Sequence, residues 1–259
     1  MNIHLKNITF GYNARNIFQD QTITLDSKQN QESHLYGIIG PSGTGKTTII
    51  SILGGQLKPQ NGEVLIGGNN IYKITEGERQ KLIVIQLQSS TALRGKLDYN
   101  LRFGLNKSGN SKIYTDEELI DILKNVGLWN IFEEFDGLET LIGEGGINLS
   151  GGQRQRLNFA SLYLRAKYYK PVVILIDEPT SSLDEISEKA ITSMIDELAR
   201  NSITIVVAHR LKTLKKATAL LDSSLIKENK NLSFVNHQDL AKISKYYRDL
   251  VDGKVVLED

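Results

Sequence analysis

Residues 40–47 read GPSGTGKT and follow directly on the apolar run LYGII at 35–39. Three glycines in eight residues leave few side chains for core packing, whereas the backbone N–H groups of such a loop can turn inward around an anion. The next residues, TTIISILGGQL, favour a helix whose N-terminus adds partial positive charge. The stretch therefore predicts a phosphate-binding loop between a buried strand and a helix. A glycine-rich turn without a ligand is the alternative.

The loop fits the pattern G-x-x-x-x-G-K-[ST], with Gly40, Gly45, Lys46 and Thr47 at its fixed positions. In this pattern the lysine reaches the β- and γ-phosphates of a nucleoside triphosphate, and the hydroxyl that follows it ligates magnesium. The nucleotide-binding residues predicted here are Gly40, Pro41, Ser42, Gly43, Thr44, Gly45, Lys46, Thr47 and Thr48.

Composition narrows the class of protein. The chain has 259 residues, of which 40% are hydrophobic and 24% charged, as in ordinary soluble globular domains. The net charge of +1 gives no general attraction to nucleic acid, and we expect no nucleic-acid partner. The absence of cysteine excludes disulfides and thiolate metal sites. The richest apolar run, VVILI at 172–176, is far shorter than the roughly 20 residues that a membrane span requires.

Strand-like and helix-like segments alternate along the chain. Buried strands are predicted before the glycine loop and at PVVILIDE and SITIVVAH, and helices at 115–126, 151–166 and 184–201. This alternation predicts a parallel α/β core. A stretch between about 98 and 165 has a helical pattern and is expected to be an insertion into that core.

A second chemical motif lies in VVILIDEPT at 172–180. Its apolar strand carries Asp177 to the C-terminal end, where open α/β sheets bind their ligands. We predict that Asp177 organises magnesium and that Glu178 faces the γ-phosphate and polarises an attacking water. The alternative is that two acidic residues merely end a strand.

The octet LSGGQRQR at 149–156 resembles the signature of ATP-binding cassette (ABC) ATPases. Taken alone, Ser150 could simply cap a helix. Together with the loop at 40–47 and DEPTSSLD at 177–184, the resemblance covers about residues 1–250. It implies one domain over 1–259, in which residues 1–97 and 166–259 form a P-loop NTPase core with a mainly parallel sheet and an N-terminal antiparallel β subdomain. The resemblance also implies an inserted α-helical subdomain at 98–165 that carries the signature.

The resemblance assigns roles to further residues. Tyr12, in FGYNAR, occupies the position of the aromatic residue that stacks on adenine. Gln88 matches the glutamine that contacts magnesium, with Gln86 as the alternative, and His209 matches the switch histidine at the γ-phosphate. The implied catalytic residues are therefore Glu178, His209 and Lys46, and the implied magnesium ligands are Thr47, Gln88 and Asp177. Ser182 stands where the family more often has alanine, and His4, His34 and His237 are interpreted as structural.

In the family, the signature of a second ATPase domain closes over the γ-phosphate. Ser150, Gly151, Gly152 and Gln153 are therefore expected to bind ATP in trans, in a homodimer or a heterodimer. The implied activity is hydrolysis of ATP to ADP and phosphate, with Mg²⁺ and ATP-dependent dimerisation.

Three segments resemble the exporter branch of the family: IGEGGINLSGGQRQR with Glu144, YNLRFG at 99–104, and the tail HQDLAKISKYYRDLV. This branch implies a transmembrane partner, either a separate subunit or a domain of the same protein, and a position at the cytoplasmic face of a membrane. The expected docking surface is at 87–100 beside the helix at 116–126. Its apolar candidates are Leu93, Leu97 and Tyr99, with a rim of Arg94 and Lys96.

A soluble, non-transport ABC ATPase is the alternative function. DNA-repair members of the family insert long coiled coils between the two ATP motifs, and no sustained heptad run occurs between residues 60 and 140. Translation members carry two cassettes, whereas this sequence contains one P-loop. The transported substrate cannot be inferred from these residues.

Overall fold

The computed structural model describes residues 1–13, 15–27, 31–88, 92–105, 113–181 and 183–254. Ser182 and residues 89–91 of the expected docking segment lie outside these ranges. The strands are β1 Asn2–Tyr12, β2 Arg15–Asp26, β3 Leu35–Ile39, β4 Asn61–Ile66, β5 Asn69–Asn70, β6 Ile83–Gln86, β7 Gly95–Lys96, β8 Leu141–Ile142, β9 Val173–Asp177, β10 Ile203–Val207, β11 Ala219–Asp222 and β12 Asn231–Ser233. The α-helices are α1 Lys46–Leu53, α2 Glu76–Leu82, α3 Leu97–Arg102, α4 Asp116–Asn125, α5 Trp129–Glu133, α6 Gly151–Tyr169, α7 Glu185–Leu198, α8 Leu211–Leu214, α9 His237–Ile243 and α10 Lys245–Val251.

The central sheet has the strand order β11-β3-β10-β9-β6, and every pair in it is parallel. Every residue of β3, β9 and β10 is buried. Parallel strands are joined by crossovers that cover both faces of a sheet, which explains why these segments are continuous apolar runs. Their carboxyl ends meet at one edge, and the predicted catalytic residues follow there.

Successive residues of a strand point to opposite faces and so divide the interior into two cores. Ile174 and Ile176 of β9 pack in the core that contains α6, α7 and the inserted helices. Val173 and Leu175 pack in the core that contains α1 and the antiparallel sheet. That second sheet has the order β12-β2-β1-β4-β5, with antiparallel pairing of β1 to β2 and β4.

The insertion contains α3, α4, α5 and the first part of α6. Thr115 caps α4 through a capping box with Glu118, and Gly127 follows the helix with φ 66°. The predicted fold class is confirmed: a parallel core, an antiparallel β subdomain and inserted helices. The boundary between residues 165 and 166 stays a prediction, and α6 continues through it to Tyr169.

The C-terminal segment forms two short helices, α9 and α10, rather than one. Ser244 has an extended backbone (φ −103°, ψ 116°) and separates α9 from α10. Its hydroxyl accepts a hydrogen bond from the Tyr247 N–H and donates one to buried Asp222, and these contacts hold the break. Within the described ranges, no helix combines the length and apolar character needed to cross a bilayer.

Candidate active site

The loop at 40–47 leaves β3 and enters α1 through three glycines with positive φ. The φ angles are 139° at Gly40, 75° at Gly43 and 98° at Gly45, a region that other residues rarely adopt. A Cβ atom on Gly40 would lie 2.2 Å from the Ser223 Oγ atom, so a side chain there would collide with its neighbour. The glycines are required by this turn, as the sequence indicated.

Lys46 is buried at the base of this loop. Its Nζ atom donates hydrogen bonds to the carbonyl oxygens of Gly40, at 2.8 Å, and Pro41, at 2.9 Å. Burial lowers the pKa of the ammonium group, and the nearby carboxylates of Glu178, Asp177 and Asp222 oppose that shift. A cation that is partly stripped of water is thereby available to an incoming anion.

The remaining residues of the loop differ in exposure. Pro41, Ser42, Gly43 and Thr47 are exposed, and the Thr47 hydroxyl lies close enough to Asp177 to oppose the rise in the pKa of that carboxyl group. The Thr48 side chain is buried in α1. A nucleotide contact there would use the backbone N–H. This group belongs to the first turn of the helix, where N–H groups have no acceptor within the helix. Thr44 donates a hydrogen bond to the Pro41 carbonyl at 2.8 Å and closes the loop.

Asp177 ends β9 and is 1% exposed. Neither of its carboxylate oxygens makes a hydrogen bond of regular geometry with the described residues. Burial raises the pKa of this carboxyl group, as does Glu178, whereas the Thr47 hydroxyl, Lys46 and His209 oppose the rise. A buried carboxylate without a partner is costly, and a bound cation would satisfy it.

Glu178 is held by two side chains that come from different strands. The Gln88 Nε2 atom donates to its Oε2 atom at 2.7 Å, and the His209 Nε2 atom lies 2.6 Å from its Oε1 atom. These residues follow β6 and β10, which flank β9 in the sheet. The structure therefore brings Glu178, Gln88 and His209 together. Gln86 is buried within β6 and makes no such contact.

The backbone at Glu178 is left-handed, with φ 50°, a conformation that is uncommon for a residue with a side chain. Its N–H donates to the Val207 carbonyl at 3.0 Å, and its own carbonyl accepts a hydrogen bond from the Gln155 amide. Gln155 also donates to the Ser181 hydroxyl at 3.2 Å. Sequence reasoning missed Gln155, because it lies among other polar residues near the start of α6 and only the packing of that helix singles it out.

Tyr12 stands at the end of β1 and is 48% exposed. Its ring packs edge-to-face on Phe10, with the ring centroids 5.0 Å apart. An exposed ring held in this way offers one face to a planar ligand. Of the other histidines, His34 bonds to Ser27 and His237 bonds to Tyr247, as expected for structural roles.

The signature residues form a self-contained helix start. The Ser150 hydroxyl accepts from the Gln153 N–H at 3.2 Å, while the Gln153 side chain accepts from the Ser150 N–H at 2.7 Å. Gly151 is exposed, and a Cβ atom added to it would meet nothing within 4 Å. The N-terminus of this 19-residue helix therefore faces open space.

The expected docking surface needs one correction. Leu97 begins α3 and is 0% exposed, so it belongs to the core and cannot contact a partner. Leu97 and Leu101 lie on the inner face of α3, whereas Tyr99 on its outer face and Phe103 directly after the helix are about half exposed. Arg94 and Lys96 are exposed as expected, although Arg94 pairs with Glu144 at 2.6 Å.

Comparisons of the sequence with family models and with known proteins all point to one protein family. The profile of the ABC transporter family matches residues 24–181. A putative export ATP-binding/permease protein of Rickettsia typhi is 34% identical over 256 residues, which cover 96% of this chain and 41% of that protein. An ATP-dependent lipid A-core flippase of Desulfotalea psychrophila is 29% identical over 247 residues, which cover 95% of this chain and 40% of that protein.

A solved structure extends the likeness to three dimensions. A bacterial Atm1-family ABC exporter with ATP bound matches with a TM-score of 0.77 and 27% identity, over 98% of this chain and 42% of that one. The chain thus spans about 41% of the length of the curated relative from Rickettsia typhi.

Proposed function

The chain belongs to the ABC transporter family, and from that premise we propose that it is the ATP-binding and ATP-hydrolysing domain of an exporter-type transporter. The observation that carries this proposal is the convergence of Gln88 and His209 on Glu178, beside a buried lysine and an unpaired buried aspartate. A protein that only bound nucleotide would not need this arrangement around Glu178.

ATP would bind with its phosphates in the loop at 40–48 and its adenine on Tyr12. The backbone N–H groups and Lys46 supply the positive charge for the phosphates. Magnesium would be held by Asp177, Thr47 and the amide oxygen of Gln88. The buried oxygens of Asp177, which make no regular hydrogen bond, fit that role, because Mg²⁺ in such sites is bound by one or two carboxylates together with phosphate oxygens. A magnesium ion bound there supplies charge neutralisation to the phosphates.

The chemical step assigned to this chain is a proton transfer. The oxygen of a water molecule attacks the γ-phosphorus, and the bond between the γ-phosphorus and the bridging oxygen breaks. Glu178 takes one proton from the attacking water. ADP leaves with the bridging oxygen, and the products are ADP and phosphate. His209 holds the Glu178 carboxylate through its Nε2 atom at 2.6 Å, so the base keeps one orientation.

The second half of the site would come from another ATPase domain. The open helix start at Ser150, Gly151, Gly152 and Gln153 presents the N–H groups of the two glycines and a positive dipole end suited to a γ-phosphate. Each chain would place this helix start on the nucleotide of the other, which gives a two-fold arrangement with two composite sites.

A transmembrane partner at the cytoplasmic face of a membrane completes the proposal. The docking surface that we propose for it is Leu93, Tyr99 and Phe103, with Arg94 and Lys96 at the rim. Tyr99 and Phe103 pack edge-to-face, with ring centroids 5.9 Å apart, and form an exposed aromatic pair. Aromatic residues of this kind are enriched at the centres of protein interfaces.

Membrane fractionation tests this partner. We expect the wild-type protein to sediment with membranes and Tyr99→Asp to remain in the supernatant with unchanged ADP affinity. Ile243→Asp on α9, which alters another exposed apolar residue, is the control and should still sediment. A wild-type protein that stays in the supernatant and captures no membrane protein would support a soluble ABC ATPase instead.

A further inference from the structure

The phosphate-binding loop rests on a buried serine that lies outside the motifs described above. Ser223 directly follows β11 and is almost fully buried. Its Oγ atom lies 2.9 Å from the Ile39 carbonyl and 2.6 Å from the Thr44 Oγ1 atom. The same atom occupies the space that a side chain on Gly40 would need. Ser223 therefore contacts the strand residue that precedes the phosphate-binding loop and the middle of the loop itself.

The two hydroxyl protons limit which of the contacts of Ser223 and Thr44 can be hydrogen bonds at the same time. Ser223 and Thr44 have one hydroxyl proton each, yet they make three short contacts, the third being Thr44 to the Pro41 carbonyl at 2.8 Å. The 2.6 Å contact is a hydrogen bond when Ser223 donates to Thr44 while Thr44 donates to Pro41, or when Thr44 turns from Pro41 and donates to Ser223. In the first case Thr44 takes the proton that Ser223 otherwise gives to the Ile39 carbonyl.

Ser223 is in turn held by the C-terminal helices. The neighbouring Asp222 is buried and accepts two hydrogen bonds from Ser224, each at 2.8 Å, and one from the Ser244 hydroxyl at 2.5 Å. Ser244 is 0% exposed and caps α10 by accepting from the Tyr247 N–H at 2.8 Å. Ser244 bonds to Asp222, Asp222 is followed in the chain by Ser223, and Ser223 contacts Thr44. This path joins the start of α10 to the phosphate-binding loop.

We propose that Ser223 is a positioning residue for nucleotide binding, and that α10 supports it through Ser244 and Asp222. The hydroxyl of Ser223 contacts the loop and the strand residue before it, so it acts by keeping the N–H groups of the loop in their binding arrangement before the nucleotide arrives. This inference rests on the proposed binding of ATP and ADP in that loop. It adds the C-terminal helices, which lie about 200 residues further along the chain, to the residues that set nucleotide affinity.

Calorimetric titration with ADP tests the role of Ser223. Loss of its hydroxyl in Ser223→Ala should weaken ADP binding about tenfold, because up to two hydrogen bonds that order the loop are lost. Ser202→Ala is the matched control, since Ser202 is also buried and donates to a carbonyl, that of Pro171 at 2.7 Å. Both variants should lose similar thermal stability, and only Ser223→Ala should lose affinity. Equal affinity in Ser223→Ala and the wild-type protein would overturn the proposal.

A double-mutant cycle tests the link between Ser223 and Thr44. Once Thr44→Ala has removed the partner hydroxyl, Ser223→Ala should weaken ADP binding by no more than about twofold further. If the loss of ADP affinity in the double variant equals the product of the losses in the two single variants, the residues act independently and the proposed link is contradicted.

The contribution of α10 has its own pair of variants. Ser244→Ala removes the bond to Asp222 together with a helix cap, and we expect ADP binding to weaken about threefold. Asn236→Ala removes only the cap of α9, where Asn236 accepts from the Asp239 N–H, and should leave ADP affinity unchanged. If Ser223→Ala does not fold, Ser244→Ala and Asn236→Ala still test the proposal. Equal ADP affinities in these two variants would overturn it. A wild-type protein that does not bind ADP would instead refute the proposed function.

Discussion

The phosphate-binding region and the signature region are stabilised in opposite ways. Lys46, Asp177, Glu178 and His209 lie at or next to the ends of buried parallel strands or at a helix start, and their contacts join residues far apart in sequence. The signature at 149–153 is stabilised within one helical turn, by the capping box of Ser150 and Gln153. In the first region the buried carboxylate of Asp177 makes no regular hydrogen bond with the described residues. In the second region, Ser150 and Gln153 bond to each other's backbone N–H groups, and the helix start faces open space. Under the proposed function, this contrast corresponds to one chain that binds the nucleotide and a second chain that completes the site for hydrolysis.

The largest expected effect separates hydrolysis from binding within the first region. Glu178→Gln removes the base but leaves the loop intact, so we predict about a 1000-fold loss of ATP hydrolysis. ATP affinity should change less than about threefold, because no phosphate contact is removed. Phosphate release and nucleotide titration measure the two quantities. Hydrolysis at the wild-type rate would refute the assignment of Glu178.

Loss of the cation in the loop should affect binding itself. We predict that Lys46→Ala weakens ATP binding at least about 100-fold, because charge-assisted hydrogen bonds to phosphate are lost. The measurement is nucleotide titration without magnesium, which isolates the loop from the metal site. Unchanged affinity would mean that the phosphates bind elsewhere.

The third prediction contrasts two helix caps of the same design. Ser150→Ala and Thr115→Ala each remove the hydroxyl of a capping box, and each should cost about 1 kcal/mol of stability. Only Ser150→Ala should lower ATP hydrolysis, by about tenfold, because its hydroxyl is expected to reach the nucleotide of a second chain. ADP affinity should be unchanged in both. A loss of hydrolysis that is equal in the two variants would assign Ser150 a structural role alone.

The smallest expected effect is a gain of stability. Asp177→Asn removes an unpaired buried charge and should raise the free energy of unfolding of the nucleotide-free protein by about 1 kcal/mol at pH 7. Because the folded-state pKa of Asp177 is raised, the native state holds its proton more tightly than the unfolded state, and stability falls as pH rises through that window. The advantage of the variant should therefore shrink toward pH 4. Urea unfolding at both pH values measures it, and a variant less stable than wild type at pH 7 would contradict it.

The sequence predicted the residues that follow buried strands more reliably than those that depend on packing. Asp177 and His209 could be found because an apolar run of four or more residues ends beside each of them. Gln88 was preferred to Gln86, and the side chain of Gln88 is the one that reaches Glu178. Their roles in ATP hydrolysis stay predictions until the variants are measured.

Packing accounts for what the sequence did not predict. Leu97 was expected on a docking surface, but the start of α3 turns it into the core. The break at Ser244 and the contact of Ser223 with the loop depend on contacts between residues distant in sequence, such as Asp222 with Ser244. No local pattern of apolar and polar residues encodes such a contact.

Sedimentation of Glu178→Gln tests most directly whether the two regions complete each other only between chains. The variant binds ATP without consuming it, so the signature of one chain can remain closed over the nucleotide of the other. With ATP and magnesium we predict a dimer, and with ADP a monomer, because the bridging γ-phosphate is then absent. Combining Glu178→Gln with Ser150→Ala should weaken the dimer. A monomer in ATP and magnesium at concentrations that saturate the site would contradict assembly of the active site from two chains.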